Sequence, residues 1–510
     1  MLHQVRPAST EHCSDALPQS LPPVIADLAD CTVIPLTHQQ HAVSHLTVDI
    51  AFAYQVAADK QLLLQSLRNT LVHFPVLCGR VLKVRRDDNV SELVLCVPKL
   101  QHDNVHVATS YPSWAYVPFT FETNNSINSD VNGVAPNDWF DMAVCCIPNA
   151  VLDASSIETD EIDLSILGDP MTRIKVSTTD SGQQVIALSI NHLLVDAGSI
   201  GLFMSEWSFQ YQQCRVEGRA EVIIPRKYEH YSFGHPIFDT DWKGDDEQSQ
   251  ILNEWKSLLP NESGGENPFA NNATNMASED PNISCSIYHR SRDQLEALKK
   301  QSMEATIRLG QQEDEEMRGV CIPPYISSND ALLGEVCNQL EATSFLLCMD
   351  WRPVLQRNNF FGYAVLFLYI DIPSSSHAPA MCRKLLGWND RNRNGVEGCT
   401  GVVRDAKFVK WKIMNETKQG RTDLIWNSWS DLFTLHDHRD CCNTTVGIEK
   451  SSKMECCAHD IFMSDQMCKA RVDVARRGLS YAIIFPQPYR SVRVYFFGPT
   501  EVGQTLQSEK

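Results

Sequence analysis

The 510 residues carry 44 lysines and arginines against 63 aspartates and glutamates, a formal net charge of −19, with 43% apolar and 21% charged side chains. At about 100–200 residues per domain this is a globular chain of two to four domains with ample core, and its acidic balance argues against a nucleic-acid binder or a protein of anionic membrane surfaces. There is no run of about 18 apolar residues and no apolar stretch within MLHQVRPASTEHCSDALPQS, so neither a membrane span nor a secretory signal is predicted, and the eighteen scattered cysteines are expected as reduced thiols of a cytoplasmic protein.

Residues 1 to about 30 are polar and contain several prolines, and they read as a lead-in. Leu46, Val48, Ile50, Phe52 and Tyr54 alternate with period two, as a half-buried strand does. A helix is predicted from about Asp59 to His73 with a core stripe of Leu63, Leu64, Leu67 and Leu71, stopped by Pro75. A strand follows Gly79, and residues 123 to 137, rich in Asn, Ser and Gly, read as a loop. Met171 to Val176 and Asp180-Ser181-Gly182-Gln183 predict a strand and a hairpin turn.

That hairpin feeds the stretch around which the chain is organised. Val185-Ile186-Ala187-Leu188-Ser189-Ile190 reads as a buried strand, followed by Asn191-His192-Leu193-Leu194-Val195-Asp196-Ala197-Gly198. Ile200, Phe203, Met204, Trp207 and Tyr211 then recur on one helical face, with Ser199 as the expected cap. An imidazole at the end of a buried strand is held rigidly while its tip can face a cleft, which is what a general base requires.

Residues from about 215 to 281 are turn-rich and read as a crossover between two halves. The second half resumes with a strand at Ile283 to Tyr288 and a helix from about Arg292 to Ala305. Ser327-Ser328-Asn329-Asp330 caps another helix, with Leu332, Leu333, Val336 and Leu340 as its stripe. Strands are predicted at Ser344 to Trp351, Ala364 to Ile370, Tyr481 to Phe485 and Val492 to Phe497. The dense cysteines, Cys441-Cys442, Cys456-Cys457 and Cys468, lack a C-x-x-C spacing, so no metal site is predicted from them.

Together these stretches resemble the BAHD family of acyl-CoA-dependent acyltransferases, whose signature, His-x-x-x-Asp at the end of a strand, is here His192 to Asp196. Four further stretches match in the same order: Ser66 to Arg80, Ser327 to Leu332, Asp350-Trp351-Arg352 with Asn359 to Ala364, and Asn427-Ser428-Trp429. The chain departs from the family at residues 433–440, which read FTLHDHRD where Asp-Phe-Gly-Trp-Gly is usual. It departs again at Ala197, inserted between Asp196 and Gly198, and at His38, Tyr363 and Asn427, which replace Asp, Asn and Thr.

The resemblance implies an α/β (α+β) fold of two chloramphenicol-acetyltransferase-like domains, each a mixed sheet with flanking helices, and an active-site channel at their interface. Residues 1–214 would be the N-terminal domain carrying the signature, 215–282 the crossover linker and 283–510 the C-terminal domain. The implied reaction moves an acyl group from an acyl-CoA co-substrate to an alcohol, phenol or amine of a small molecule, as in secondary metabolism, with His192 as general base. Asp196 would support the turn by pairing with Arg352, and Gly198 would be structural. Asn427 and Trp429 are candidate oxyanion donors, with a strand-end cap and a core residue as the competing readings. His38 would line the acceptor side or stand in an exposed loop. No cofactor, metal, nucleic acid or second subunit is called for. Two alternatives remain: a condensation or wax-ester type of acyltransferase, against which Asn191 and Ala197 speak, and a non-catalytic descendant that binds a ligand or partner.

Overall fold

A computed structural model describes residues 2–5, 25–27, 31–35, 46–54, 57–85, 91–98, 115–123, 134–135, 139–140, 152–153, 161–163, 169–178, 182–217, 282–311, 325–350, 352, 359–372, 374–385, 423–429, 460–476, 478–487 and 490–508. Of the sequence-based expectations, His38, most of the crossover, the FTLHDHRD segment and the cysteines at 441, 442, 456 and 457 lie outside the described residues.

The first half supplies β1 (Leu2–Val5), β2 (Ile25–Asp27), β3 (Cys31–Pro35), β4 (Thr47–Tyr54), α1 (Lys60–His73), β5 (Arg80–Arg85), β6 (Ser91–Pro98), β7 (Val117–Thr123), β8 (Val134–Ala135), β9 (Leu152–Asp153), β10 (Glu161–Asp163), β11 (Thr172–Thr178), β12 (Gln184–Asn191) and α2 (Ala197–Glu217). The second half supplies β13 (Ile283–Arg290), α3 (Arg292–Gln311), α4 (Ser328–Leu340), β14 (Ser344–Asp350), β15 (Val365–Asp371), α5 (Ala378–Leu385), β16 (Leu424–Ser428), β17 (Asp460–Ser464), α6 (Asp465–Ala475), β18 (Ser480–Gln487), β19 (Ser491–Pro499) and α7 (Thr500–Ser508).

Two mixed sheets dominate. One has seven strands in the order β1-β7-β11-β12-β4-β17-β8, and the other six in the order β13-β19-β18-β16-β14-β15. In the first, β7 with β11 and β8 with β17 are parallel; in the second, β14, β16 and β18 run parallel. A four-stranded sheet, β3-β6-β5-β9, and the pair β10-β2 complete the described strands. The first large sheet is not built by the first half alone, because β17 pairs antiparallel with β4, Phe462 opposite Ala51.

Local chemistry explains the elements that bear on the site. Asp59 caps α1 by accepting from the N–H groups of Gln61 and Leu62, both at 2.9 Å, and Leu63, Leu64, Leu67 and Leu71 are buried beneath it. Ser327 and Asp330 cap α4 reciprocally in a capping box. β12 is buried on every residue, which is why its sequence is a continuous apolar run and not an alternating one.

In the second large sheet the two faces separate cleanly. Tyr481, Ile483, Phe485, Tyr495 and Phe497 join the core that also contains Ile186, Leu188 and Ile190 of β12. Their neighbours Ala482, Ile484, Val494 and Phe496 face a second core with Leu332, Leu333 and Val336 of α4. One continuous hydrophobic core therefore joins the two large sheets.

Two helix boundaries and several strands differ from the sequence reading. α2 starts at Ala197, not Ser199, and α3 runs on to Gln311. Val134–Ala135, within the expected loop, is a short strand at the sheet edge. β6 (Ser91–Pro98) and β17 (Asp460–Ser464) are strands that the sequence reading does not contain.

Candidate active site

β12 is held between β11 and β4 over its whole length and delivers its last residue, Asn191, opposite Thr47. The Asn191 side-chain oxygen accepts from the N–H of Leu193 at 2.9 Å, and the Asn191 carbonyl accepts from Leu194 at 3.0 Å. This is the kind of turn Asn forms readily. The backbone N–H of His192 donates to the Leu46 carbonyl at 2.8 Å. The main chain of His192 is thus fixed on both sides.

The imidazole is partly exposed, and its Nδ1 lies 2.8 Å from the carbonyl oxygen of Val195. A carbonyl can only accept, so Nδ1 carries the hydrogen, and in the neutral ring the lone pair is on Nε2. Burial pushes the His192 pKa down from its ordinary value; the Val195 carbonyl opposes this, the charge of Arg471 adds to it, and Asp196 opposes it. The result is a neutral imidazole at neutral pH with one free basic nitrogen. The ring of Tyr363, from the second half, meets it edge-on with centroids 5.4 Å apart.

Asp196 does not touch this imidazole in a triad-like way. Its two oxygens take the Arg352 guanidinium in a fork, Nη2 to Oδ1 at 2.8 Å and Nη1 to Oδ2 at 3.1 Å. They also accept the N–H of Ser199 at 2.8 Å and of Ala364 at 2.7 Å. Asp196 is therefore the residue that caps α2, in place of the expected Ser199. The Ser199 hydroxyl instead donates to the Gly362 carbonyl at 2.7 Å and accepts the Gly362 N–H at 2.8 Å.

The remaining Arg352 hydrogens go to Asp350 at 2.9 Å, to the carbonyl of Phe360 at 2.7 Å and to that of Gly362 at 2.7 Å. Burial pushes the Asp196 carboxyl up, but Arg352 and the two backbone N–H groups outweigh it and hold the carboxyl below its ordinary range. Gly198 lies against this fork: an added Cβ would stand 3.1 Å from the Arg352 Cζ and closer still to Nη1.

Asn427 is on the face of β16 that shares the common core with Ile425. Its amide Nδ2 donates to the Tyr481 hydroxyl at 3.1 Å, and its Oδ1 accepts the indole N–H of Trp429 at 2.9 Å. An indole has one donor, so Trp429 spends it on orienting the amide, whereas Nδ2 keeps a second hydrogen. Trp429 is buried and packs edge-on against Phe485 at 4.9 Å.

Three residues near this constellation carry no role in the sequence reading: Tyr363, Tyr481 and Arg471. The guanidinium of Arg471, on α6, stands 4.7 Å over the Tyr481 ring. The available signal for it was an Arg on the face shared by Met467 and Ala475, both buried. Of the expected cysteine cluster only Cys468 is described, a buried thiol next to Cys285.

No family model matches the sequence, and no curated protein matches it. Solved structures that match include vinorine synthase, at 12% identity, covering 98% of this chain and 94% of that one with a TM-score of 0.52. F. sporotrichioides TRI101 complexed with Coenzyme A and T-2 matches at 10% identity over 94% of this chain and 97% of that one, TM-score 0.51. At such identities the likeness is one of fold. Two mixed sheets, flanking helices and a shared core between them make up the fold that this chain has in common with vinorine synthase and TRI101.

Proposed function

We propose that the protein is an acyl-CoA-dependent acyltransferase whose general base is Nε2 of His192. The acceptor hydroxyl or amine gives its proton to Nε2 as its oxygen or nitrogen attacks the thioester carbon. The tetrahedral oxyanion collapses, the C–S bond breaks, and the imidazolium returns the proton to the departing thiolate. Acid–base work of this kind contributes about 10²–10⁴-fold, and holding both substrates at one base supplies much of the rest. No covalent intermediate on the protein is required.

The observation that carries the reading is the Nδ1 contact to Val195 at 2.8 Å, which leaves Nε2 as the basic nitrogen. Asn427 is the candidate oxyanion donor through the hydrogen of Nδ2 not given to Tyr481, and Trp429 holds that amide in place. Asp196, Arg352 and Gly198 support the turn that carries His192. His38 on the acceptor side, a small-molecule acceptor of secondary metabolism and a monomer working in the cytoplasm belong to the same proposal.

The test is thiol release from a panel of acyl-CoAs with pooled alcohols, phenols and amines, run beside His192→Ala. Acceptor-dependent release that the variant loses is the expected result. Absence of release from folded wild-type protein across the panel overturns the reading.

A further inference from the structure

A cleft opens between α1, α2 and the sheet at the end of β12 remote from His192. Its walls include Tyr54 of β4, Leu63 of α1, Gln184 of β12 and Met204, Trp207 and Tyr211 of α2. With its open mouth counted, it holds about 600 Å³. Gln184 is the first residue of β12, whereas His192 follows the last, so at about 3.3 Å per residue the two stand roughly 26 Å apart along the strand. Leu188 and Ile190 of β12 and Ile200 and Phe203 of α2 lie between them, all fully buried. Closed core therefore separates the cleft from the imidazole.

The polar tips of two of the three rings are already taken. The indole N–H of Trp207 donates to the Ser66 hydroxyl at 3.0 Å, and the Tyr211 hydroxyl accepts the N–H of Asp59 at 3.0 Å. These rings offer the cleft carbon, as do Leu63 and Met204. Gln184 differs from them. It is only 2% exposed, its Oε1 accepts the N–H of Ala58 at 3.2 Å, and its Nε2 gives a hydrogen to the Thr178 hydroxyl at 3.4 Å. A primary amide carries two hydrogens on that nitrogen, so one is left without an acceptor among the described residues. Buried donors in folded proteins are paired almost without exception, and an acceptor carried by a ligand would complete this one.

We propose that the cleft is a second small-molecule site, which takes a flat, uncharged system of one or two fused rings bearing a carbonyl. The rings lie against Tyr54, Trp207 and Tyr211, and the carbonyl oxygen accepts the spare hydrogen of Gln184. An apolar lining with few placed polar groups is the common composition of such sites. The exposed Arg215 at the cleft opposes a cation, and an anion would lose its hydration against a lining that is otherwise largely carbon, so the ligand is neutral. The site does not depend on the acyl-transfer reading.

Calorimetric titration of the full-length protein with 1-indanone and with indane, one skeleton with and without the carbonyl, tests both parts of the proposal. Wild type is expected to bind both. Gln184→Met removes the donor and should weaken 1-indanone about three- to tenfold while leaving indane unchanged. Gln184→Glu, which keeps an acceptor for the Ala58 N–H but has no amide hydrogens, should do the same. Ser208→Trp sets an indole into the cleft from a half-buried position of α2 and should abolish binding of both compounds. Melting curves report the folding of each variant.

The proposal is overturned if wild type binds neither compound up to its solubility, or binds indane and not 1-indanone. It is also overturned if folded Ser208→Trp binds both as wild type does, which would put the ligand elsewhere in the protein. Equal weakening of the two compounds on loss of the Gln184 amide would overturn the carbonyl contact that defines the ligand class.

Discussion

Asp196 and Arg352 lie 156 residues apart in the chain and meet as a two-pronged ion pair at 2.8 and 3.1 Å. The pair joins the turn after β12 to the segment before β15, so the signature Asp fastens the His-bearing turn to the second half of the protein. Removing Arg352 leaves the buried Asp196 carboxylate without a counter-ion, and removing Asp196 leaves the buried Arg352 guanidinium with Asp350 as its one carboxylate partner among the described residues. Asp196→Ala and Arg352→Ala should each destabilise the fold by about 3–5 kcal/mol, and the double variant by much less than the sum. Urea unfolding of the three variants checks this. Because the Asp196 carboxyl sits below its ordinary range in the fold, its contribution is fully present above the unfolded-state value and is lost as pH falls through the folded one.

Gly198 tests the same fork from its other side. The Cβ of Gly198→Ala would displace the Arg352 guanidinium, and overpacking of this kind costs about 1–3 kcal/mol. The expected signature is a lower unfolding midpoint together with lost activity, since a shifted Arg352 releases Asp196 from its place at the start of α2. An unchanged midpoint would mean that the turn has room the geometry does not show.

Where the sequence spoke through local chemistry, it was legible. The period-two run of β4, the stripe of α1, the capping box of α4 and the apolar run of β12 each state their own structure. Pairing between distant segments leaves no such mark. Nothing in Asp460 to Ser464 tells that this strand joins the sheet of the other half, beside β4. Ser199 and Asp196 are both good caps for α2, and only the fold shows that the Ser199 hydroxyl is taken by Gly362 while Asp196 caps the helix. Nothing in the sequence marks Arg471, whose contact with the Tyr481 ring is made only in the fold.

Asn427 and Trp429 should separate in their effects. Asn427→Ala removes the amide that keeps a free hydrogen, and loss of one oxyanion donor lowers kcat about 10²–10³-fold. Trp429→Phe keeps an aromatic ring beside Phe485 and removes the N–H that orients the amide. Its kcat should fall by less, with KM for the acyl donor little changed. If Trp429→Phe equals or exceeds Asn427→Ala, the indole N–H and not the amide faces the oxyanion.

On the proposed mechanism the pH profile of the reaction reports His192. Burial lowers its pKa first, and the charge of Arg471 adds to the lowering, while the Val195 carbonyl and Asp196 act in the opposite sense. A general base works only when unprotonated, so kcat/KM should fall on the acid side through a pKa below the ordinary histidine value of about 6.5. Arg471→Gln takes away a positive charge that disfavours the imidazolium, so the acid limb should move to higher pH. Asp196→Asn takes away a negative charge that favours it, so the limb should move to lower pH in any variant that still folds. Initial rates from pH 4.5 to 8.5, with NMR titration of the His192 ring, measure both shifts. Opposite signs in the two variants identify His192 as the titrating base, whereas a limb that neither variant moves assigns it to another group.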